Sequence, residues 1–372
     1  NFKEKDATFV PDSDSQPLIT KFMSKFFRSK RAKRTFIRRG IALLALLFIL
    51  CGFWAWRMVL ASNFDIKETT YVYVDSKKDF NDLCSQLKDS ASCKSLTTFK
   101  QLAYLIGYPE KMKTGRYAIE PGTGNLRLLK NLIGGLQSPT RITFNNIRLK
   151  SDLAQRLDDQ LMVSKEEMLT LFNDSASCAA LGFSPETIQA MFIPNTYEVY
   201  WDITPDNLMK RIQKEYKAFW NEDRLAKASK AGLTPIQVSI LASIVEEETA
   251  KADEMGMVAG LYLNRLRINM PLQADPTVKF AVGDVTLKRI LFEHLQVDSP
   301  YNTYKHTGLP PGPIRVPSIG GINSVLNHNQ HDYIYMCAKE DFSGRHNFAS
   351  TLAEHAKNAN KYRAELNRRQ IK

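Results

Sequence analysis

Three consecutive glutamates, Glu246-Glu247-Glu248, follow an eleven-residue run, 235–245, that carries no charge. Carboxylates in the last turn of a helix oppose the negative end of its dipole and repel one another. The chemistry open to a partly desolvated carboxylate is proton transfer: burial penalises the charged form, raises the pKa and keeps the group protonated near neutrality, as a general acid requires. At 100° per residue, Glu248 falls within the apolar stripe of Ile236, Ile240, Leu241, Ile244 and Val245. Glu246 falls on the opposite face, beside Ser239, Ala242 and Ser243. That face is small and mildly polar, so the spacing predicts room there for a ligand and makes Glu246 the candidate acid. A solvated acidic turn is the plain alternative.

Two further segments could recognise a neutral, polyhydroxylated chain. Pro271-Leu272-Gln273-Ala274-Asp275-Pro276-Thr277 is polar between apolar stretches, and Tyr301-Asn302-Thr303-Tyr304 is followed by Gly308-Leu309-Pro310-Pro311-Gly312-Pro313-Ile314. Tyr faces, amides and hydroxyls suit the C–H faces and paired donors and acceptors of sugars; ordinary turn chemistry is the alternative. Other chemistries find no support. There is no G-x-S-x-G, P-loop or GxGxxG, and the six histidines show no familiar ligand spacing, so neither metal nor cofactor is expected. The net charge of +12 suggests nucleic acid until it is located: nine Lys or Arg lie between Lys21 and Arg39 without an acid, and the bulk of the chain is close to neutral.

The elements that must position these residues can be read from periodicity and caps. Thr234-Pro235-Ile236-Gln237 offers an N-cap, a proline at the first helical position and a Gln three residues on. A helix over 253–267 presents Met255, Val258, Tyr262 and Leu266 on one face. Helices are also predicted at 150–161, at 164–171 with a Ser164/Glu167 capping box, as one long helix at 205–228, and at 354–369; 271–347 reads as turn-rich. Upstream, 62–69 reads as a polar tether, followed by strand 70–74, helices 80–87 and 96–105, strand 115–122, helix 125–133 and a strand from 141, a small βααβ-like unit. Ahead of it, 41–56 is an uncharged run ending in Trp54 and Trp56 and continued past Arg57, long enough to span a bilayer. The basic cluster before it predicts a cytoplasmic N-terminus and an external remainder. Cys84, Cys93, Cys178 and Cys337 would then meet an oxidising space, Cys84 and Cys93 being the pair nearest in sequence.

Taken together, seven ordered motifs make the chain resemble the YceG-like endolytic murein transglycosylases. They are LASIVEEET at 241–249, Asn264-Arg265-Leu266, LQADPTV at 272–278, YNTY at 301–304, GLPPGPI at 308–314, Pro194-Asn195-Thr196-Tyr197-Glu198 and Gly344-Arg345-His346-Asn347-Phe348. The resemblance implies an α+β chain: a basic cytoplasmic tail (1–39), one transmembrane helix (40–61), a small LysM-like module (62–140) and a mixed helical and β catalytic domain (141–372). It implies cleavage of the MurNAc-β-1,4-GlcNAc bond inside peptidoglycan strands, leaving a 1,6-anhydro end, on the outer side of the cytoplasmic membrane, with cell-wall polymerases or division machinery as partners. The family's catalytic glutamate, taken as the first of its E-x-E pair, falls on Glu246. Gln273, Asp275, Tyr301, Asn302 and Tyr304 become the substrate wall, with Glu248, Tyr197, Glu198 and His346 as further site residues. Asn195 departs from the family's frequent Asp. A catalytically dead scaffold on the wall, and a two-carboxylate hydrolase using Asp275, are the competing readings.

Overall fold

The computed structural model describes residues 30–370 apart from Asn146, Val285, Thr286, Lys288 and Arg289; most of the expected basic tail lies outside the described residues. The chain falls into two compact units that divide at 113–117 and again after Leu136.

In the first unit, helix α1 (Lys30–Val59) contains, within Lys33–Val59, an apolar stretch of mean hydropathy 2.1 that is nowhere buried, and it is the one helix among the described residues long and apolar enough to cross a membrane. Strand β1 (Thr70–Val74), helices α2 (Phe80–Asp89) and α3 (Leu96–Leu105), strand β2 (Gly115–Ile119) and helix α4 (Asn125–Gly134) follow, with β1 and β2 forming a two-stranded sheet. Gly135, at φ +70°, closes α4 in the left-handed conformation that glycine adopts without penalty. Val72, Leu83, Leu87, Phe99, Tyr117 and Leu128 share one core with Met58, so the end of α1 is part of it.

The start of the expected tether is instead knitted into this core, while 67–69 are exposed. Phe64 is 2% exposed, and Ser62 and Phe64 bridge to Gly124 and Cys93. Asn63 and Asn125 are both buried, and Asn63 Nδ2 donates to Asn125 Oδ1 at 2.7 Å while Asn125 Nδ2 donates to the Met58 carbonyl at 2.9 Å. Asn63 Oδ1 also accepts from Ser95 N at 2.9 Å. Buried amides must find partners, and here the partners are the last turn of α1 and the start of α3. Asn125→Ala would leave the Met58 carbonyl without its amide donor and take one of the Asn63 amide's acceptors, the Ser95 carbonyl remaining to it; we expect a loss of about 2 kcal/mol, read as a lowered denaturation midpoint of this unit. The pairing suggested for Cys84 and Cys93 is not formed. All five cysteines are free thiols, and burial pushes both of these up in pKa.

The second unit opens with strand β3 (Thr140–Thr143), which pairs antiparallel with β4 (Thr196–Val199) in the register Thr140↔Val199 to Thr143↔Thr196. Between them lie α5 (Lys150–Asp158), α6 (Lys165–Asn173) and α7 (Ser175–Ala180), with the Ser164 capping box formed as the sequence predicts. The helix expected over 205–228 is two helices, α8 (Pro205–Phe219) and α9 (Glu222–Lys230). Asn221 breaks it by accepting from Arg224 N and starting a new helix, a role short polar side chains favour over helix interiors. Helices α10 (Pro235–Glu248) and α11 (Met255–Arg267) come next. The turn-rich stretch then holds α12 (Asp275–Val282), α13 (Ile319–Leu326) and an antiparallel hairpin of β5 (Tyr335–Ala338) and β6 (His346–Ala349), before the last helix, α14 (Leu352–Arg368). One core gathers around Phe144, Phe172, Phe192 and Tyr197, and a second around α10, α11 and α13. The fold is mixed α+β, mostly helical with three small sheets among the described residues.

Candidate active site

Helix α10 begins at the predicted signal: Thr234 Oγ1 accepts from Gln237 N and the Gln237 side chain accepts from Thr234 N. Val238 through Val245 are buried without exception. The small polar face is therefore not open. Ser243 Oγ accepts from Ile314 N at 3.1 Å and donates to the Ile240 carbonyl at 2.7 Å, and α13 packs on the same helix. Its residues are small because other chain approaches closely, which corrects the expectation of a groove there.

The three glutamates at the end of α10 have three different fates. Glu246 is held at the start of α13. Ser318 N donates to its Oε2 at 2.9 Å and Ser318 Oγ donates to its Oε1. Arg315 Nε lies 3.9 Å from Oε2, and the Glu246 side chain is only 7% exposed. A Cβ on Gly321 would come within 2.6 Å of its carboxyl carbon, so glycine is required there by close approach. Glu247 accepts a forked pair of bonds from Arg148 at 2.8 and 3.1 Å and another from Arg315 at 2.8 Å. Both acids are pinned to neighbouring loops.

Glu248 faces the other way, towards α11 and α12. Tyr262 Oη donates to its Oε1 at 2.8 Å. Burial is the main reason its pKa is pushed up to about 7; the Tyr262 bond opposes that rise, the Asp275 charge adds to it, and Arg265 and Lys279 oppose it. Asp275, the first residue of α12, accepts from Tyr304 Oη at 2.6 Å, and burial, with this bond adding to it, drives the Tyr304 hydroxyl well above its usual range. Arg265 is 7% exposed and donates to the carbonyls of Ile334 and Leu272, each at 2.6 Å, which fixes the segment leading to Asp275. Thr249, next after Glu248, is clamped in turn: its Oγ1 donates to Glu254, whose two oxygens also contact His346 N at 2.8 Å and Nδ1 at 2.9 Å.

The remaining predicted residues divide. Asp275 and Tyr304 join Glu248 in one group. Gln273 is exposed just before Asp275, with its backbone at φ +49° and its N–H bonded to the Thr303 carbonyl. Tyr301 packs on Phe280 at 4.8 Å, its hydroxyl pushed up to about 12 by burial. Asn302 is fully buried; its amide serves the Leu295 and Val297 carbonyls and Tyr304 N, so it shapes the loop rather than a sugar wall. Tyr197 is a core residue, 3% exposed, and Glu198 pairs with Arg141 on the exposed side of β4. His346 contacts Glu254 and none of the three glutamates directly among the bonds described. Tyr262, Arg265, Arg315 and Ser318 were not foreseen as site residues. The sequence signals for two of them were an ionisable Tyr on the apolar face of α11 and, three residues on, the Arg of the Asn264-Arg265-Leu266 motif. No group of three or more His, Cys, Asp or Glu could hold a metal among the described residues.

Comparison with known proteins places the chain in a family. The model of the YceG-like family matches residues 72–361. The chain belongs to the YceG-like family. It is similar to the endolytic murein transglycosylase of Bacillus subtilis, 27% identical over 321 residues, which is 82% of this chain and 87% of that one. An endolytic murein transglycosylase of Streptococcus pneumoniae is 28% identical over 179 residues, 46% of this chain and 31% of that protein. A crystal structure of a YceG-like protein from Listeria monocytogenes superposes with a TM-score of 0.52 at 25% identity, covering 78% of this chain and 99% of that one.

Proposed function

We propose that this YceG-like chain is an endolytic murein transglycosylase in which Glu248 is the proton donor. One observation carries the assignment: of three adjacent glutamates, two are fixed to loops and the third is the one raised to about 7, beside a second carboxylate. A retaining or inverting hydrolase needs two carboxylates; a transglycosylase can run on one. Protonated Glu248 gives its proton to the glycosidic oxygen as the bond from C1 of MurNAc breaks. The resulting carboxylate takes the proton of the same sugar's C6 hydroxyl as O6 bonds to C1. The 1,6-anhydro ring closes, GlcNAc leaves as the alcohol, and no water is consumed. Tethered attack supplies the entropic advantage that a captured water lacks. Burial keeps Glu248 protonated and the Asp275 charge adds to that effect.

Product mass tests the reaction. Peptidoglycan strands treated with the purified chain should end in anhydro sugars, whereas reducing ends would move the assignment to a hydrolase in which Asp275 is the second carboxylate. The pH profile tests the acid. Because the reactive form is protonated, kcat/KM should fall as pH rises through about 7. Asp275→Asn removes the negative charge that raises Glu248, so the falling limb should move to lower pH; a limb that stays in place would remove Asp275 from the site.

The apolar α1 supports a single membrane span, and the basic run before it supports a cytoplasmic N-terminus with the catalytic unit outside. The strand–helix–helix–strand order of the first unit supports a LysM-like wall-binding role. A cell-wall polymerase is the partner this reading favours, since an enzyme that cuts within strands would act where they are made.

A further inference from the structure

The Pro-Asn-Thr-Tyr segment has no part in the proposed chemistry, yet it lines a cavity. Thr143↔Thr196 is the last pair of the β3–β4 ladder. Beyond it the two chains part, and the opening of about 230 Å³ between them is lined by Thr143, Phe144, Asn145, Pro194, Asn195 and Thr196.

The base of this opening is rigid. The buried Phe144 ring stacks on Tyr197 at 5.2 Å and meets Phe192 edge-on at 5.4 Å. Tyr197 Oη donates to the Ile193 carbonyl at 2.5 Å, which holds the backbone immediately before Pro194. Tyr197 thus has a purpose away from the acid: it fixes the rim. On that rim Thr143, Asn145, Asn195 and Thr196 are exposed, and Asn195 Oδ1 accepts from Thr196 N at 2.8 Å, which orients its amide.

The lining has two amides, two hydroxyls, a proline ring and no charged side chain. Anions and cations find no partner there, while a neutral ring with C–H faces, hydroxyls and an acetamido group finds both kinds of contact. The opening is also tied to the reaction centre. Asn145 is three residues from Arg148, a span of at most roughly 11 Å along the backbone. The guanidinium of Arg148 grips Glu247, next in sequence to Glu248, and its carbonyl accepts from the buried Gln189 at 3.1 Å. Ile147, beside it, accepts from Val316 N at 2.8 Å.

We propose that this cavity is a neutral sugar subsite that takes an N-acetylhexosamine ring of the glycan at a position removed from the bond being cut. The proposal rests on the strand-cleaving reading above, and it supplies what an enzyme acting inside strands needs: a hold on the chain beyond the scissile pair.

The test uses the full chain in detergent with two probes, the GlcNAc tetramer for binding and peptide-free murein strands for cleavage. Asn145→Ala with Asn195→Ala should weaken tetramer binding at least tenfold and raise KM for long strands by a similar factor. Because both side chains are exposed, kcat and the melting temperature should stay near wild type. Asn195→Asp, which keeps the acceptor oxygen, should recover part of the binding. Unchanged binding and KM in the double variant would overturn the subsite even if cleavage is intact. A wild-type chain that binds the tetramer through these residues but cuts nothing would support the subsite and defeat the reaction instead.

Discussion

Glu248→Gln should abolish strand cleavage, lowering kcat by about 10³-fold or more, since it removes the one group proposed both to give and to retake the proton. Gln keeps the shape and can still accept from Tyr262, so the fold should survive. Indeed the variant should be the more stable protein at alkaline pH. The folded-state pKa of Glu248, about 7, lies above its ordinary value of 4.5, so the folded chain binds the proton more tightly than the unfolded one between those limits. The stability from that proton is complete below about 4.5 and is lost as pH rises through about 7. Gln never ionises and is spared that loss. At pH 8 we expect Glu248→Gln to exceed wild type by about 2 kcal/mol, with the difference vanishing near pH 4. Glu246→Gln should do the reverse: most turnover kept, but about 1–2 kcal/mol lost at neutral pH because a neutral amide gives up the charge-assisted bonds from Ser318. If Glu246→Gln is dead and Glu248→Gln still cuts, the assignment of roles is inverted.

The second large effect belongs to Arg315. Its side chain is 14% exposed and faces both Glu247, at 2.8 Å, and Glu246, at 3.9 Å. Arg315→Ala would leave two nearly buried like charges adjacent, with only Arg148 to answer them. Breaking such a pair from one side costs about 3 kcal/mol, or a fall of about 6–12 °C in the melting temperature of a unit this size. Arg148→Ala should cost much less, because that side chain is 41% exposed and water replaces it. Equal melting shifts for the two variants, read by calorimetry, would mean that Arg315 is not the anchor.

Much of the framework could be read in the residues themselves. Strand 70–74 and helix 96–105 agree with the structure, and the caps at Ser164 and Thr234 form as their side-chain spacing requires. These signals are local: periodicity, a capping oxygen, a proline at the first turn. What could not be read was which element would occupy a given face. The small face of α10 looks the same in sequence whether a ligand or another helix covers it, and the helix that does cover it, α13, begins seventy-one residues after Glu248. Its capping Ser318 and Gly321 claimed Glu246, and the acid in the apolar stripe was left facing Tyr262 and Asp275. The site residues found only in the structure, Tyr262 and Arg265 among them, bond to a carboxylate and to carbonyls on other elements, contacts that leave no periodic trace. Asn221 is the opposite case: a strong local signal for a helix start lies inside a longer amphipathic pattern that masks it.

The buried amide pair Asn63–Asn125 makes a joint without a pivot. With α1 seated in a bilayer, the helix and the first unit would tilt and turn as one lever, since the bonds between them run to the Met58 carbonyl itself. Such a unit could not swivel on its stalk. Its reach would be set by sideways drift of the whole anchor in the plane of the lipid and by the lean of that one helix.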